Sequence, residues 1–129
     1  MLIPGKYVFV SYSNKDADFM KNITYVLESK KIAYWKAPEK IPAGSSYAKE
    51  IVHAIENCGI FLLVLSESSQ TSIWVEKEVD CALSSGRTII PYNIDNVALS
   101  EGFGLLERAG FRRRSSVSYI GFALYNPHI

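Results

Sequence analysis

Six consecutive apolar residues, Ile60-Phe-Leu-Leu-Val-Leu65, constrain the fold of this chain more than any other feature. A run that short, with no polar side chain on either alternating face, reads as a strand buried from both sides, as in a parallel sheet covered by helices. The flanking sequence supplies the rest of such a sheet. Tyr7-Val-Phe-Val-Ser-Tyr12 is a β-rich run ending in Ser13-Asn14, and Ser13 with Asp16 matches a loose capping box. Phe19, Met20, Ile23, Val26 and Leu27 then recur at helical spacing, and Ile32-Ala-Tyr-Trp35 reads as a second strand. Lys36 to Gly44 carries Pro38, Pro42 and Gly44 and predicts a loop. Ser45 or Ser46 can cap a second helix whose inner face is Ala48, Ile51, Val52 and Ile55, and Asn57 and Gly59 stop it.

After Leu65, Ser66 to Ser72 predicts a loop, followed by a helix with Val75, Val79, Ala82 and Leu83 facing inward and Gly86 at its end. Thr88-Ile-Ile-Pro-Tyr92 is a fourth strand, its carboxyl end marked by Pro91. The order βαβαβαβ predicts an α/β, flavodoxin-like three-layer fold. Its parallel sheet of about five strands, ordered 2-1-3-4-5, has its crevice between strands 1 and 3. Val117 to Leu124 is the candidate fifth strand, weakened by Gly121, and no amphipathic closing helix is visible.

Bulk properties narrow the function. The 129 residues make one domain, and a net charge of +1 argues against nucleic acid or an anionic membrane as partner. No apolar run approaches the length of a membrane span, and no leader pattern opens the chain, so a cytoplasmic location is expected. Cys58 and Cys81 read as reduced core residues. A dinucleotide fingerprint and a Walker loop are both missing, since Gly102 and Gly104 lack the third glycine and do not follow strand 1. Two histidines, His53 and His128, and two distant cysteines make a metal site a poor bet, and no Ser or Cys has a believable His partner. His53 is expected on the solvent side of its helix, and Arg112-Arg-Arg114 reads as a solvated turn. Carboxylates are left as the candidate chemical groups.

Trp74 and Glu78 are the most informative pair. Four residues apart on a helix, they place an indole beside a carboxylate on one face. That helix starts just past a strand's carboxyl end, where open α/β sheets bind ligands. An aromatic face with one acid suits a cationic heteroaromatic ring on a sugar, such as the nicotinamide riboside of NAD. The bland alternative, a partly buried Trp packed on a solvated Glu, is the commoner arrangement, and spacing alone favours it.

Read together, the blocks resemble the Toll/interleukin receptor (TIR) family. Tyr7-Val-Phe-Val-Ser-Tyr-Ser-Asn-Lys-Asp16 is similar to the opening of these domains, and Ala33-Tyr-Trp-Lys-Ala-Pro-Glu-Lys-Ile-Pro-Ala-Gly44 to their second box. Phe61 to Ser69 followed by Trp74-Val-Glu-Lys-Glu78 is similar to the third strand and the Trp-x-x-x-Glu helix, and Ile89-Ile-Pro-Tyr92 to the fourth strand. The resemblance runs in order over roughly residues 5 to 103, within a single domain whose part from about 104 to 129 is divergent or shortened. Its flavour is that of small bacterial TIR proteins of antiphage defence.

The resemblance implies an NAD glycohydrolase or ADP-ribosyl cyclase, with NAD as substrate, no further cofactor, and Glu78 as the catalytic acid. Family binding positions fall on Tyr12, Ser13, Ile41, Gly44 and Trp74, and Trp35 could stack on the pyridinium from the second-box side. It also implies pairing with other TIR domains through the loop Lys36 to Ser46, as a dimer or filament. The chemistry suits one carboxylate: nicotinamide leaves as a neutral molecule and needs no proton. What remains is electrostatic stabilisation of an oxocarbenium-like ribosyl centre. As a site residue and not a core one, Glu78 should accept Gln with little change in melting temperature. A non-catalytic TIR scaffold is the rival, favoured by Ser13 and Asn14 standing where some enzymatic relatives carry arginines. A nucleoside deoxyribosyltransferase-like enzyme would share the carboxylate but not the second box.

Overall fold

The computed structural model describes residues 2–36 and 47–94. Four strands, β1 (Val8–Ser11), β2 (Tyr34–Lys36), β3 (Ile60–Leu65) and β4 (Ile89–Asn93), form one sheet. All are parallel, in the order β2-β1-β3-β4. The first four strands thus stand in the order expected from sequence; the candidate fifth strand at 117–124 lies outside the described residues. Helix α1 (Ala17–Ser29), reached through a 3-10 turn at Asn14–Asp16, covers one face. Helices α2 (Tyr47–Glu56) and α4 (Ile73–Ser84) cover the other, with the short α3 (Glu67–Gln70) between β3 and α4.

Period-2 alternation divides the strands between two cores. Phe9, Phe61, Leu63 and Leu65 point toward α2 and α4, where Ile51, Ile55, Val75 and Val79 meet them. Val10, Leu62 and Val64 point the other way, onto Met20, Ile23 and Leu27 of α1. Ile60-to-Leu65 is therefore covered on both faces, as its composition requires. The chain moves from β1 to β2 across one face and from β2 to β3 across the other, which leaves the switch point between β1 and β3. Among the described residues no helix is long and apolar enough to cross a membrane.

Several local expectations are corrected. Ser66 to Ser72 is not a plain loop: Ser66 caps α3 in a reciprocal capping box with Ser69. The inner face of α2 is Tyr47, Ile51, Ala54 and Ile55, whereas Ala48 and Val52 are exposed, so the apolar stripe read from sequence was rotated by part of a turn. Strand β2 starts at Tyr34, two residues after Ile32, whose side chain faces solvent. Pro91 lies inside β4 and not at its end, tolerated because β4 is the edge strand among those described. Leu83 does face inward, half-buried against the core on the α2 and α4 side. Gly86 does end α4, at a φ of 70° that favours glycine, with the Arg87 N–H returning to the Ala82 carbonyl.

Candidate functional site

The site is built at the carboxyl ends of β1 and β3. Ser11, the last residue of β1, shares the alternation of Phe9 and so faces α4 as a polar group on a buried surface. It is fully buried, and its hydroxyl donates to Glu78 Oε1 at 2.7 Å. Glu78 comes from the second turn of α4, whose start is fixed by Ser72: the Ser72 hydroxyl accepts from the Val75 N–H. The core-facing stripe Val75, Val79, Ala82 draws Glu78 inward with it, leaving the residue 8% exposed. This rules out the solvated Glu of the bland sequence reading.

A buried carboxylate is usually held ionised by a cation. Among the described residues no lysine or arginine pairs with Glu78; the one ion pair, Lys21 with Asp18, lies on the surface of α1. Burial pushes the Glu78 carboxyl up to about 7, only partly offset by the Ser11 hydroxyl, which favours the charged form. Glu78 opens into a largely apolar groove of about 280 Å³ between α2 and α4. Ile51, Val52 and Ile55 line one wall, Trp74, Lys77 and Cys81 the other. Cys81 is half-buried and Cys58 fully buried, and both are free thiols.

The residues singled out by sequence are distributed unevenly. Trp74 and Glu78 share the groove, but Trp74 is 54% exposed at its rim, with the Lys77 ammonium 5.6 Å from its ring centroid. Trp74 is thus not the partly buried packing residue of the bland reading. Tyr12 lies just past β1 on the α1 side of the sheet, with Lys36 Nζ 5.9 Å over its ring. Ser13 is buried at the same sheet end, and its hydroxyl accepts from the Lys15 N–H, capping the 3-10 turn. Trp35 is taken up by packing: it stacks on Phe9 at 4.9 Å and on Tyr47 at 6.2 Å, away from the groove. Ile41, Gly44 and most of the Lys36 to Ser46 loop lie outside the described residues.

Two further residues carry the architecture of this end without having been singled out for it. Ser11 is the first; a serine on the Phe9 face of an apolar strand is a sequence signal for a buried partner. Asp16 is the second, expected as part of a capping box with Ser13. Its carboxylate instead accepts from the hydroxyl of Ser66, which follows β3. Tyr47 is buried at the start of α2, its ring stacked on Trp35. Burial first, then the nearby Glu50, Tyr12 and Glu78, raise the pKa of its phenol.

Comparison with known proteins adds an independent line. A family model described as TIR domain matches residues 8–122, extending past residue 103, where the motif resemblance ends. The structure is similar to the TIR domain of the Toll-related receptor TRR-2 from Hydra magnipapillata. The TM-score is 0.66, with 21% identity and 79% of each chain covered. It is also similar to the TIR domains of the activated Roq1 resistosome directly recognizing the pathogen effector XopQ. Here the TM-score is 0.60 and the identity 21%, over 70% of this chain and 60% of that one. No curated protein matches the chain.

Proposed function

The chain belongs to the TIR domain family, and from that premise we propose that it cleaves the nicotinamide–ribose bond of NAD, as a glycohydrolase or ADP-ribosyl cyclase. The observation that carries this reading is Glu78: a carboxylate 8% exposed, without a cationic partner among the described residues, opening on an apolar groove. Such an arrangement raises the energy of the free anion and is relieved by a cationic ligand. NAD presents one, the pyridinium ring. Its flat face packs on Trp74 at the rim, an attraction of about 1 kcal/mol or more once desolvated, and the apolar wall formed by Ile51, Val52 and Ile55 excludes water.

As the N-glycosidic bond breaks, its electron pair leaves with nicotinamide and positive charge moves onto the ribose. Glu78, kept in orientation by the Ser11 hydroxyl, faces that charge from a low-dielectric site. Water then captures the anomeric carbon and releases a proton to solvent to give ADP-ribose, or a ring nitrogen of adenine does so, with loss of a proton, to give a cyclic product. The reading extends to antiphage signalling in a bacterial cytoplasm and to assembly with other TIR domains through the Lys36 to Ser46 loop. Specific activity should accordingly rise with protein concentration. Incubation of concentrated protein with NAD, with products identified by mass, tests it: ADP-ribose or its cyclic form supports the proposal, and unconsumed NAD refutes it. The second reading, a non-catalytic scaffold, draws on the equal 21% identity to a receptor domain and requires that no product form.

A further inference from the structure

Helix α2 borders two cavities, of which the Glu78 groove takes only one flank. Along the helix Ala48, Ile51, Val52 and Ile55 face that groove. Lys49, Glu50, His53 and Asn57 fall on the other flank, at spacings that align them along one side. They overlook a second cavity of about 450 Å³, within the size range of small-molecule sites. Its floor is formed by the buried Tyr7 and Ala54 and the half-buried Leu2 and Trp35, with the exposed Pro4 at the edge. The two cavities share no lining residue.

The chemistry of this second cavity is divided. The floor is apolar and partly aromatic, and Trp35 is held rigid by its stack on Phe9 and Tyr47. The rim carries the Lys49 ammonium and the His53 imidazole one helical turn apart, neither in an ion pair among the described residues. Asn57 is fixed beside them by its own bond to the His53 carbonyl, at 2.8 Å. Glu50 contributes a carboxylate to the same rim, which opposes highly charged anions. We propose that this cavity is a second ligand site, for a planar ring carrying one anionic group. The ring lies on Leu2, Pro4 and the Trp35 edge, and the anionic group meets Lys49 and His53. A nucleoside monophosphate and an aromatic carboxylate share that chemistry. The site stands apart from the NAD reading, because none of its residues touches the Glu78 groove.

Amide and indole NMR titration of the full chain tests it, with adenosine 5′-monophosphate and 2-naphthoate as probes and adenosine and inorganic phosphate as half-ligands. Saturable shifts at Lys49, His53, Asn57 and the Trp35 indole N–H are expected from at least one complete probe in the millimolar range, and from neither half-ligand. A response to the nucleotide alone identifies phosphate recognition, and one to naphthoate alone identifies carboxylate recognition. The double variant Lys49→Gln/His53→Gln, both positions being exposed, should keep the spectrum of a folded chain and weaken binding about ten-fold. Glu78→Gln should leave it unchanged. The proposal is overturned if neither probe saturates, if the double variant binds as tightly as the parent, or if the shifts centre on Trp74 and Glu78.

Discussion

Two serine–carboxylate hydrogen bonds flank the switch point between β1 and β3, with reciprocal connectivity. Ser11, at the end of β1, reaches a carboxylate on α4, the second helix after β3; Ser66, just after β3, reaches one on the turn after β1. The chemistry is the same and the surroundings are opposite. The Ser66 hydroxyl both donates to Asp16 and accepts from the Ser69 N–H, and Asp16 is half-exposed, so water completes its solvation. Glu78 has the Ser11 hydroxyl and an apolar groove. One couple latches two chain segments together. The other keeps an acid out of water, a state that serves stability poorly and suits a site awaiting a cation.

The largest expected effect separates the couples by activity. Glu78→Gln should lower NAD turnover by at least about 10²-fold, the typical loss when a central electrostatic group is removed, whereas Asp16→Asn should leave the chemical step intact. Steady-state assays on both variants check this. Stability comes next. The folded pKa of Glu78 lies above its unfolded value, so the native state binds the extra proton between about 4.5 and about 7. The stability this group provides is full below that window, is lost as pH rises through it, and is flat above. The difference across the full window amounts to about 3 kcal/mol by linkage. Glu78→Gln should therefore melt higher than the parent at pH 8, reversing the near-neutral effect expected from sequence. Denaturant melts at pH 5 and pH 8 show whether the gap opens.

Exchanging each serine sharpens the contrast further. Ser66→Ala removes a helix cap and the bond to Asp16, for a loss of about 1–2 kcal/mol at every pH. It should leave the pH midpoint of activity in place. Ser11→Ala should move that midpoint upward, because the hydroxyl that favours the charged Glu78 is gone. Smallest of all in stability is Trp74→Ala: at 54% exposure it should shift unfolding by no more than about 0.5 kcal/mol, yet raise the KM for NAD.

The two couples also mark the limits of sequence reading. The succession of strands and helices along the chain follows from apolar runs and helical spacing, and Gly86 announces its own turn, because these are local signals. Trp74 and Glu78 were legible as a pair, since both lie on one helix. Whether Glu78 was solvated was not legible: its burial depends on the stripe of Val75, Val79 and Ala82 and on Ser11, 67 positions away in the chain. Asp16 was misassigned for the same reason, its local capping partner Ser13 losing to the distant Ser66. Trp35 looked like an NAD contact at a strand end, but its stacks on Phe9 and Tyr47 hold it away from the Glu78 groove, which no local signal announces.

The central claim is that Glu78 acts as a desolvated carboxylate on NAD. Its most direct test is the pH dependence of kcat/KM for NAD with concentrated protein, measured for the parent and for Glu78→Gln, since this parameter reports the free enzyme's essential ionisation. The account predicts activity that rises through pH about 7 and levels off above it, and a Gln variant that is at least about 10²-fold slower with no such rise. NAD left intact across the whole range, or a Gln variant that follows the parent's curve, would contradict it.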